Sequence, residues 1–197
     1  MTFQVRIHGR GGQGAVTAAE MLSVAAFVEG RCAQAFPSFG SERTGAPVES
    51  FCRISDRTIR SREPVMEPDA LIVLDVTLIH QVDLFAGLAE DAFVLINTTR
   101  TLEELGLSEL RGHGVPDRVR TCPATELAIA ELGRPFPNAA LLGGFAAQTE
   151  QVSLASVAEA VRLRFAEPVA GQNVRAAERA YQAVAHAGRE LVGAPPD

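Results

Sequence analysis

Apolar and polar residues alternate at the start of the chain, with Phe3, Val5 and Ile7 on one side and Gln4 and Arg6 on the other. A period of two predicts a first strand. It runs straight into Gly9-Arg10-Gly11-Gly12-Gln13-Gly14, after which Ala15 to Glu29, rich in Ala, Met and Leu, predicts a helix closed by Gly30. Residues 33 to 47 carry Pro37, Gly40, Gly45 and Pro47 and predict an irregular stretch. Val48 to Ile54 alternates again, Ser55-Asp56-Arg57 reads as a turn, and Thr58-Ile59-Arg60 as the returning strand of a hairpin. The continuous apolar runs Ala70 to Leu74 and Phe93 to Ile96 fit strands buried on both faces of a parallel sheet. A helical segment, Leu78 to Leu88, separates them, and Val119 to Cys122 adds a further strand before a helix from Glu126 to Leu132.

The last third reads as helical. Ala139 to Gln148 is small and apolar, with Asn138 ahead of it as an N-cap or a ligand contact; Ser153 or Ser156 caps the next helix, and Asn173 is placed as the N-cap of Val174 to Ala187. Residues 190–197 read as a frayed tail. The order predicts an α/β fold: a Rossmann-like open sheet with helices on both faces and a β-hairpin inserted after the first helix. Neither an internal repeat nor a linker divides residues 1–197, so a single domain is expected.

Composition narrows the chemistry. The net charge is -6, which argues against nucleic acid as the main partner. All 18 basic residues are arginine, so lysine chemistry such as Schiff-base formation is excluded. The three cysteines, Cys32, Cys52 and Cys122, are far apart; a cluster held by one chain normally takes four thiolates, and zinc needs closer spacing. Reduced buried thiols and the absence of a leader pattern or a long apolar run predict a cytoplasmic protein without a membrane span.

The glycine loop fits G-x-G-x-x-G at Gly9, Gly11 and Gly14, between a strand and a helix. Glycines let the backbone approach an anion, and the helix N-terminus offers N–H groups and a positive dipole end. Arg10 adds a cation and Gln13 an amide donor; the alternative is a tight turn without a ligand. A site for NAD expects a carboxylate about 20 residues on. Arg31-Cys32-Ala33-Gln34-Ala35-Phe36 has none, and without lysine the Walker pattern is absent. Asp75, Asn97 and Thr98 lie at the carboxyl ends of strands, where open α/β sheets bind ligands, although capping and turn formation explain them equally. His8 abuts the loop and reads as a structural hydrogen bonder or a phosphate contact.

His8 to Gly14 followed by Ala15-Val16-Thr17 resembles the opening of the gamma subunit of 2-oxoacid:ferredoxin (acceptor) oxidoreductases, such as the pyruvate:ferredoxin enzyme. Residues 34 to 48, including Glu42-Arg43-Thr44-Gly45, are similar to that family's second characteristic stretch. Matches continue in order through Glu67-Pro68-Asp69, Leu74-Asp75, Ile96-Asn97-Thr98, Pro123 to Glu126, Asn138, Leu142-Gly143 and Asn173-Val174. The resemblance covers nearly the whole chain and makes it one gamma-type domain.

The resemblance implies a reaction shared among subunits. A 2-oxoacid (pyruvate, 2-oxoglutarate or an aryl oxoacid such as phenylglyoxylate) is oxidatively decarboxylated to the acyl-CoA and CO2. Thiamine diphosphate, Mg and iron–sulfur clusters belong to alpha, beta and delta-type partner subunits. Ferredoxin, or NAD through a flavin subunit, takes the electrons. This chain helps to bind coenzyme A and is inactive alone. Its expected contacts are Gly9, Arg10, Gly11, Gly12, Gln13, Gly14, Arg43, Asn97 and Thr98, with no catalytic or metal-binding residue. A stand-alone NAD(P)-binding dehydrogenase and a purely structural scaffold are the alternatives.

Overall fold

The computed structural model describes residues 1–38, 44–108 and 118–192. Strand β1 (Thr2–Arg10) leads into helix α1 (Ala15–Val28), followed by β2 (Cys32–Pro37), β3 (Pro47–Ser55) and β4 (Ala70–Val73). A 3-10 helix (Val76–His80), β5 (Phe93–Asn97) and β6 (Val119–Cys122) come next. Helices α2 (Ala124–Leu132), α3 (Asn138–Thr149), α4 (Leu154–Arg164) and α5 (Val169–Val192) complete the order. The six strands form one open mixed sheet in the order β2-β3-β1-β4-β5-β6. β1, β4, β5 and β6 are parallel neighbours, while β3 runs antiparallel to both β1 and β2.

The inserted hairpin is present, but its arms differ from the sequence expectation. Its first arm is β2, cut from the stretch read as irregular, and Thr58-Ile59-Arg60 is not a strand. The 56–63 segment is held instead by the Arg53 guanidinium, which donates to the carbonyls of Ser61 (3.4 Å) and Glu63 (2.6 Å).

Among the described residues the two faces of the sheet are covered differently, with α-helices on one face only, which corrects the expectation of helices on both. Val5, Ile7, Ile54, Ile72 and Leu95 share one apolar core with residues of the α-helices. On the other face Leu71, Val73, Val94 and Ile96 pack under Leu78 of the 3-10 helix, Leu84 of the turns that follow it and Leu102 of the turn after β5. The helix expected from Leu78 to Leu88 is thus a 3-10 turn and bends. Asp75 caps it, and Gly87 (φ +67°) breaks the run where a Cβ would collide with the Met66 carbonyl.

Small residues let the helices pack closely. A Cβ on Gly143 in α3 would sit on the Ala177 carbonyl of α5. Helix α5 starts before the expected cap: Asn173 lies inside it, buried, and its Nδ2 donates to the Val169 carbonyl at 3.0 Å. It also continues through 190–192, which the sequence assigned to the tail; 193–197 lie outside the described residues. Ser153 caps α4 by accepting from Ser156 N, and Asn138 is the first residue of α3, after Pro137.

Candidate functional site

The glycine loop is built by a change of backbone hand. Gly12 (φ +97°) and Gly14 (φ +84°) occupy left-handed conformations, and Gly14 serves as the N-cap of α1 without any side-chain cap. The first-turn N–H groups of α1 therefore remain available to an anion. Helix α3 likewise starts after Pro137 with no capping bond from that residue, although the Asn138 Oδ1 accepts from Ala139 N at 2.8 Å. The two helix starts are adjacent, since a Cβ on Gly14 would lie 2.5 Å from Asn138 Nδ2.

These starts open on a cavity of about 520 Å³ lined by Gly12, Gly14 and Thr17, by Leu132, Arg134, Phe136 and Asn138, and by Arg164, Phe165, Val169, Gln172 and Asn173. It contains two arginines and, among the described residues, no carboxylate. In a chain of net charge -6 that is a local reversal of sign. The Arg164 guanidinium carbon lies 5.9 Å from the Phe165 ring centre. Two cations, two phenyl rings and the uncapped N-terminus of α1 make a set suited to a phosphorylated ligand with a flat ring.

The side chains singled out within the loop have other work. The Arg10 guanidinium donates to Asp75 Oδ2 (3.0 Å), the Gly45 carbonyl (3.0 Å), Thr77 Oγ1 (2.8 Å) and Gln81 Oε1 (3.0 Å). Gln13 donates to Asp75 Oδ2 at 2.8 Å, and its Oε1 accepts from Arg10 N at 2.7 Å. Both side chains are thus engaged within the chain, and Gly12 and Gly14 face the cavity through their backbone. Gly9 is pressed between Ala15 and Leu74, where an added Cβ would lie 3.3 Å from each Cβ. Gly11 exchanges backbone hydrogen bonds with Gly45 and Ala46.

Asn97 and Thr98 join Gln13, Asp75, Thr125 and Glu126 around a second, smaller cavity of about 270 Å³ at the strand ends. Asn97 knits that corner together: its Nδ2 donates to the Leu74 carbonyl and Thr125 Oγ1, both at 2.7 Å, and its Oδ1 accepts from Thr125 N at 3.0 Å. Of the expected contacts, Gly12 and Gly14 line the first cavity, Gln13, Asn97 and Thr98 line the second, and Gly9, Arg10 and Gly11 line neither. Arg43 and Glu42 lie outside the described residues. Arg134, Phe136, Arg164 and Phe165 were not singled out from sequence; only the Arg134-Pro-Phe136-Pro run before α3 hints at a constrained segment.

His8 and Arg6 occupy the sheet face opposite the α-helices, both buried. Burial, and then the nearby Arg6 charge, push the His8 imidazole down to about 4. Burial also holds the Glu49 carboxyl, 3.4 Å from His8 Nε2, above its ordinary range, against the pull of Arg6. Neutral and structural at pH 7, His8 lies outside both cavities. Among the described residues no three His, Cys, Asp or Glu side chains gather in a way that could hold a metal ion, and no helix is long and apolar enough to cross a membrane.

Comparison with known proteins adds a family to this geometry. Residues 4–183 match the model of the pyruvate ferredoxin/flavodoxin oxidoreductase family. The chain is 44% identical to a pyruvate synthase subunit PorC of Methanothermobacter marburgensis over 94% of its own length and 99% of that protein. It is 45% identical to the common gamma subunit of pyruvate/ketoisovalerate oxidoreductases of Pyrococcus furiosus, over 91% and 96%. The crystal structure of the pyruvate oxidoreductase subunit PORC of Thermotoga maritima superposes with a TM-score of 0.78 at 36% identity, covering 92% of this chain and 96% of that one. At 16% identity the fold also recurs, with a TM-score of 0.67, in a 2-oxoglutarate:ferredoxin oxidoreductase of Magnetococcus marinus, a structure that holds 2-oxoglutarate, coenzyme A and succinyl-CoA. This chain covers 31% of that longer one.

Proposed function

The chain belongs to the pyruvate ferredoxin/flavodoxin oxidoreductase family, as a gamma subunit of a multi-subunit oxidoreductase, and from that premise we propose that it binds coenzyme A in the 520 Å³ cavity. Within the complex the coenzyme accepts the acyl group when a 2-oxoacid, with pyruvate the first candidate, is oxidatively decarboxylated. The thiamine, Mg and iron–sulfur chemistry is assigned to alpha, beta and delta-type partners, and ferredoxin, or NAD through a flavin subunit, is the acceptor.

One observation carries this reading: the uncapped start of α1 and the adjacent start of α3 converge with Arg134 and Arg164 on a cavity that two phenyl rings also line. Coenzyme A supplies a pyrophosphate, a 3′-phosphate and an adenine ring. The backbone N–H groups beside Gly12 and Gly14 suit one phosphate and the arginines suit the others, as bidentate donors. Phe136 and Phe165 offer faces for the ring. Burying so much anionic charge is favourable only where fixed donors replace water, and this cavity has them. The chain's own part is to bind and orient.

The test is calorimetric titration of the chain with coenzyme A and with its 3′-dephospho form. Arg134→Ala and Arg164→Ala should each weaken coenzyme A binding about tenfold, the loss expected of a charge-assisted pair. At least one of them should lose its effect with the dephospho form. Equal affinities for the native and doubly substituted chains would overturn the proposal and favour a structural scaffold.

A further inference from the structure

The Asp75 carboxylate collects four donors. Oδ1 accepts from Thr77 N (2.9 Å) and Thr77 Oγ1 (2.6 Å), and Oδ2 accepts from Arg10 Nε (3.0 Å) and Gln13 Nε2 (2.8 Å). The two Oδ2 partners are the second and fifth residues of the glycine loop. Gln13 closes the loop on itself by accepting from Arg10 N, and Arg10 reaches onward to the Gly45 carbonyl. Thr44 forms an isolated bridge with Gly11, and Gly45 N donates to the Gly11 carbonyl. One carboxylate at the end of β4 therefore ties down both limbs of the loop and, through Arg10, the strap at residues 44–46.

We infer that Asp75 is a positioning residue for coenzyme A binding: it holds the Arg10–Gly14 turn so that the Gly12 and Gly14 backbone and the first turn of α1 face the 520 Å³ cavity. The inference rests on the coenzyme A reading given above. Asp75 does not line that cavity, so its effect passes through Arg10 and Gln13. Two positive-φ glycines make the turn intrinsically soft, because glycine visits many conformations that other residues cannot. Without the carboxylate, Arg10 would be left as a half-buried cation beside the loop. It would then compete for the ligand's phosphates from the wrong side or draw the loop out of shape. With it, the loop is set before the ligand arrives, and less ordering is needed on binding.

The decisive variants are made in the assembled oxidoreductase and assayed with pyruvate, coenzyme A and a redox dye. Asp75→Asn keeps the shape but removes the charge and turns an acceptor into a donor facing Gln13. Its KM for coenzyme A should rise about tenfold, as for loss of a charge-assisted contact, while kcat and the KM for pyruvate stay within about twofold. Pairing Asp75→Asn with Gln13→Glu swaps donor and acceptor across the same contact and should recover part of the lost affinity. A general loss of structure would show neither the split nor the recovery. Should Asp75→Asn fail to assemble, Gln13→Met, which cuts the tie from the loop side, is held to the same thresholds.

An unchanged KM for coenzyme A in these variants overturns the positioning role, and so does a fall in kcat with that KM intact. Arg134→Ala and Arg164→Ala are measured alongside. If they raise the KM and Asp75→Asn does not, the positioning role alone falls. If none of the variants moves it, the coenzyme A reading falls as well.

Discussion

Replacing Gly14 by alanine tests the geometry of the loop from two directions at once. Gly14 sits at φ +84°, where an L-residue costs about 1–2 kcal/mol. Its new Cβ would also lie 2.5 Å from Asn138 Nδ2, so the asparagine must move. That movement endangers the 2.8 Å bond from Ala139 N to Asn138 Oδ1, worth about 1 kcal/mol. Gly12→Ala is the internal control: φ is +97°, yet no heavy atom lies within 4 Å of the added Cβ. The expected losses are about 2.5 kcal/mol for Gly14→Ala and about 1.5 kcal/mol for Gly12→Ala. In a chain of this size they correspond to falls in Tm of about 8 °C and about 4 °C. Urea unfolding of the full chain measures both. In an Asn138→Ala background the Gly14→Ala penalty should shrink by about 1 kcal/mol, toward the Gly12 value, because the obstacle is gone. Equal penalties at the two glycines, or no coupling to Asn138, would refute the claim that the starts of α1 and α3 are fitted to each other.

Two further substitutions probe parts of the fold remote from the ligand. The unfolded chain protonates His8 near its ordinary 6.5, whereas the folded chain resists until about pH 4, so His8 makes stability fall as pH drops through that window. The limit is about 3 kcal/mol; Glu49 acts in the opposite sense, so the comparison is between His8→Gln and the native chain, and an equal acid loss in urea unfolding at pH 7 and 4.5 would contradict the assignment. Gly143→Ala drives a methyl into the Ala177 carbonyl and should cost about 3–5 kcal/mol, read as loss of soluble chain or a collapsed Tm; a Tm within a few degrees of native would show that α3 and α5 can separate at little cost.

Strand β1, the glycine loop and α1 were legible because local pattern and tertiary role agree there: a period of two, then a turn only glycine makes easily, then an alanine-rich helix. Strand β2 was hidden because Cys32-Ala-Gln-Ala-Phe-Pro37 lacks alternation, every residue being half-buried at the sheet edge. Its identity comes from pairing with β3, a non-local fact. Thr58-Ile59-Arg60 misled for the opposite reason, since it alternates locally, yet the segment is organised by carbonyls that accept from Arg53 and not by a strand ladder. The apolar residues after Leu78 looked helical but serve as plugs for the second sheet face.

At the candidate site the glycines were readable and the cations were not. Arg134 and Arg164 stand thirty positions apart, on the segment after α2 and at the end of α4, and only the packing of α2 to α5 brings them to one cavity. Arg10 was read as a ligand contact because it lies in the loop. Sequence cannot reveal that Asp75, 65 positions later, already holds it.

The backbone bonds joining Gly11 to Gly45 and Ala46 bear on how such a loop can be moved between proteins. A dinucleotide-type loop is usually treated as a cassette: strand, glycines, helix. Here the cassette extends to the turn before β3 and to the end of β4, so a graft of residues 9–14 onto another βα unit would carry over the letters without their supports. A transplant that keeps the shape would need the strap and the aspartate as well, which makes the smallest exchangeable unit three separate pieces of chain.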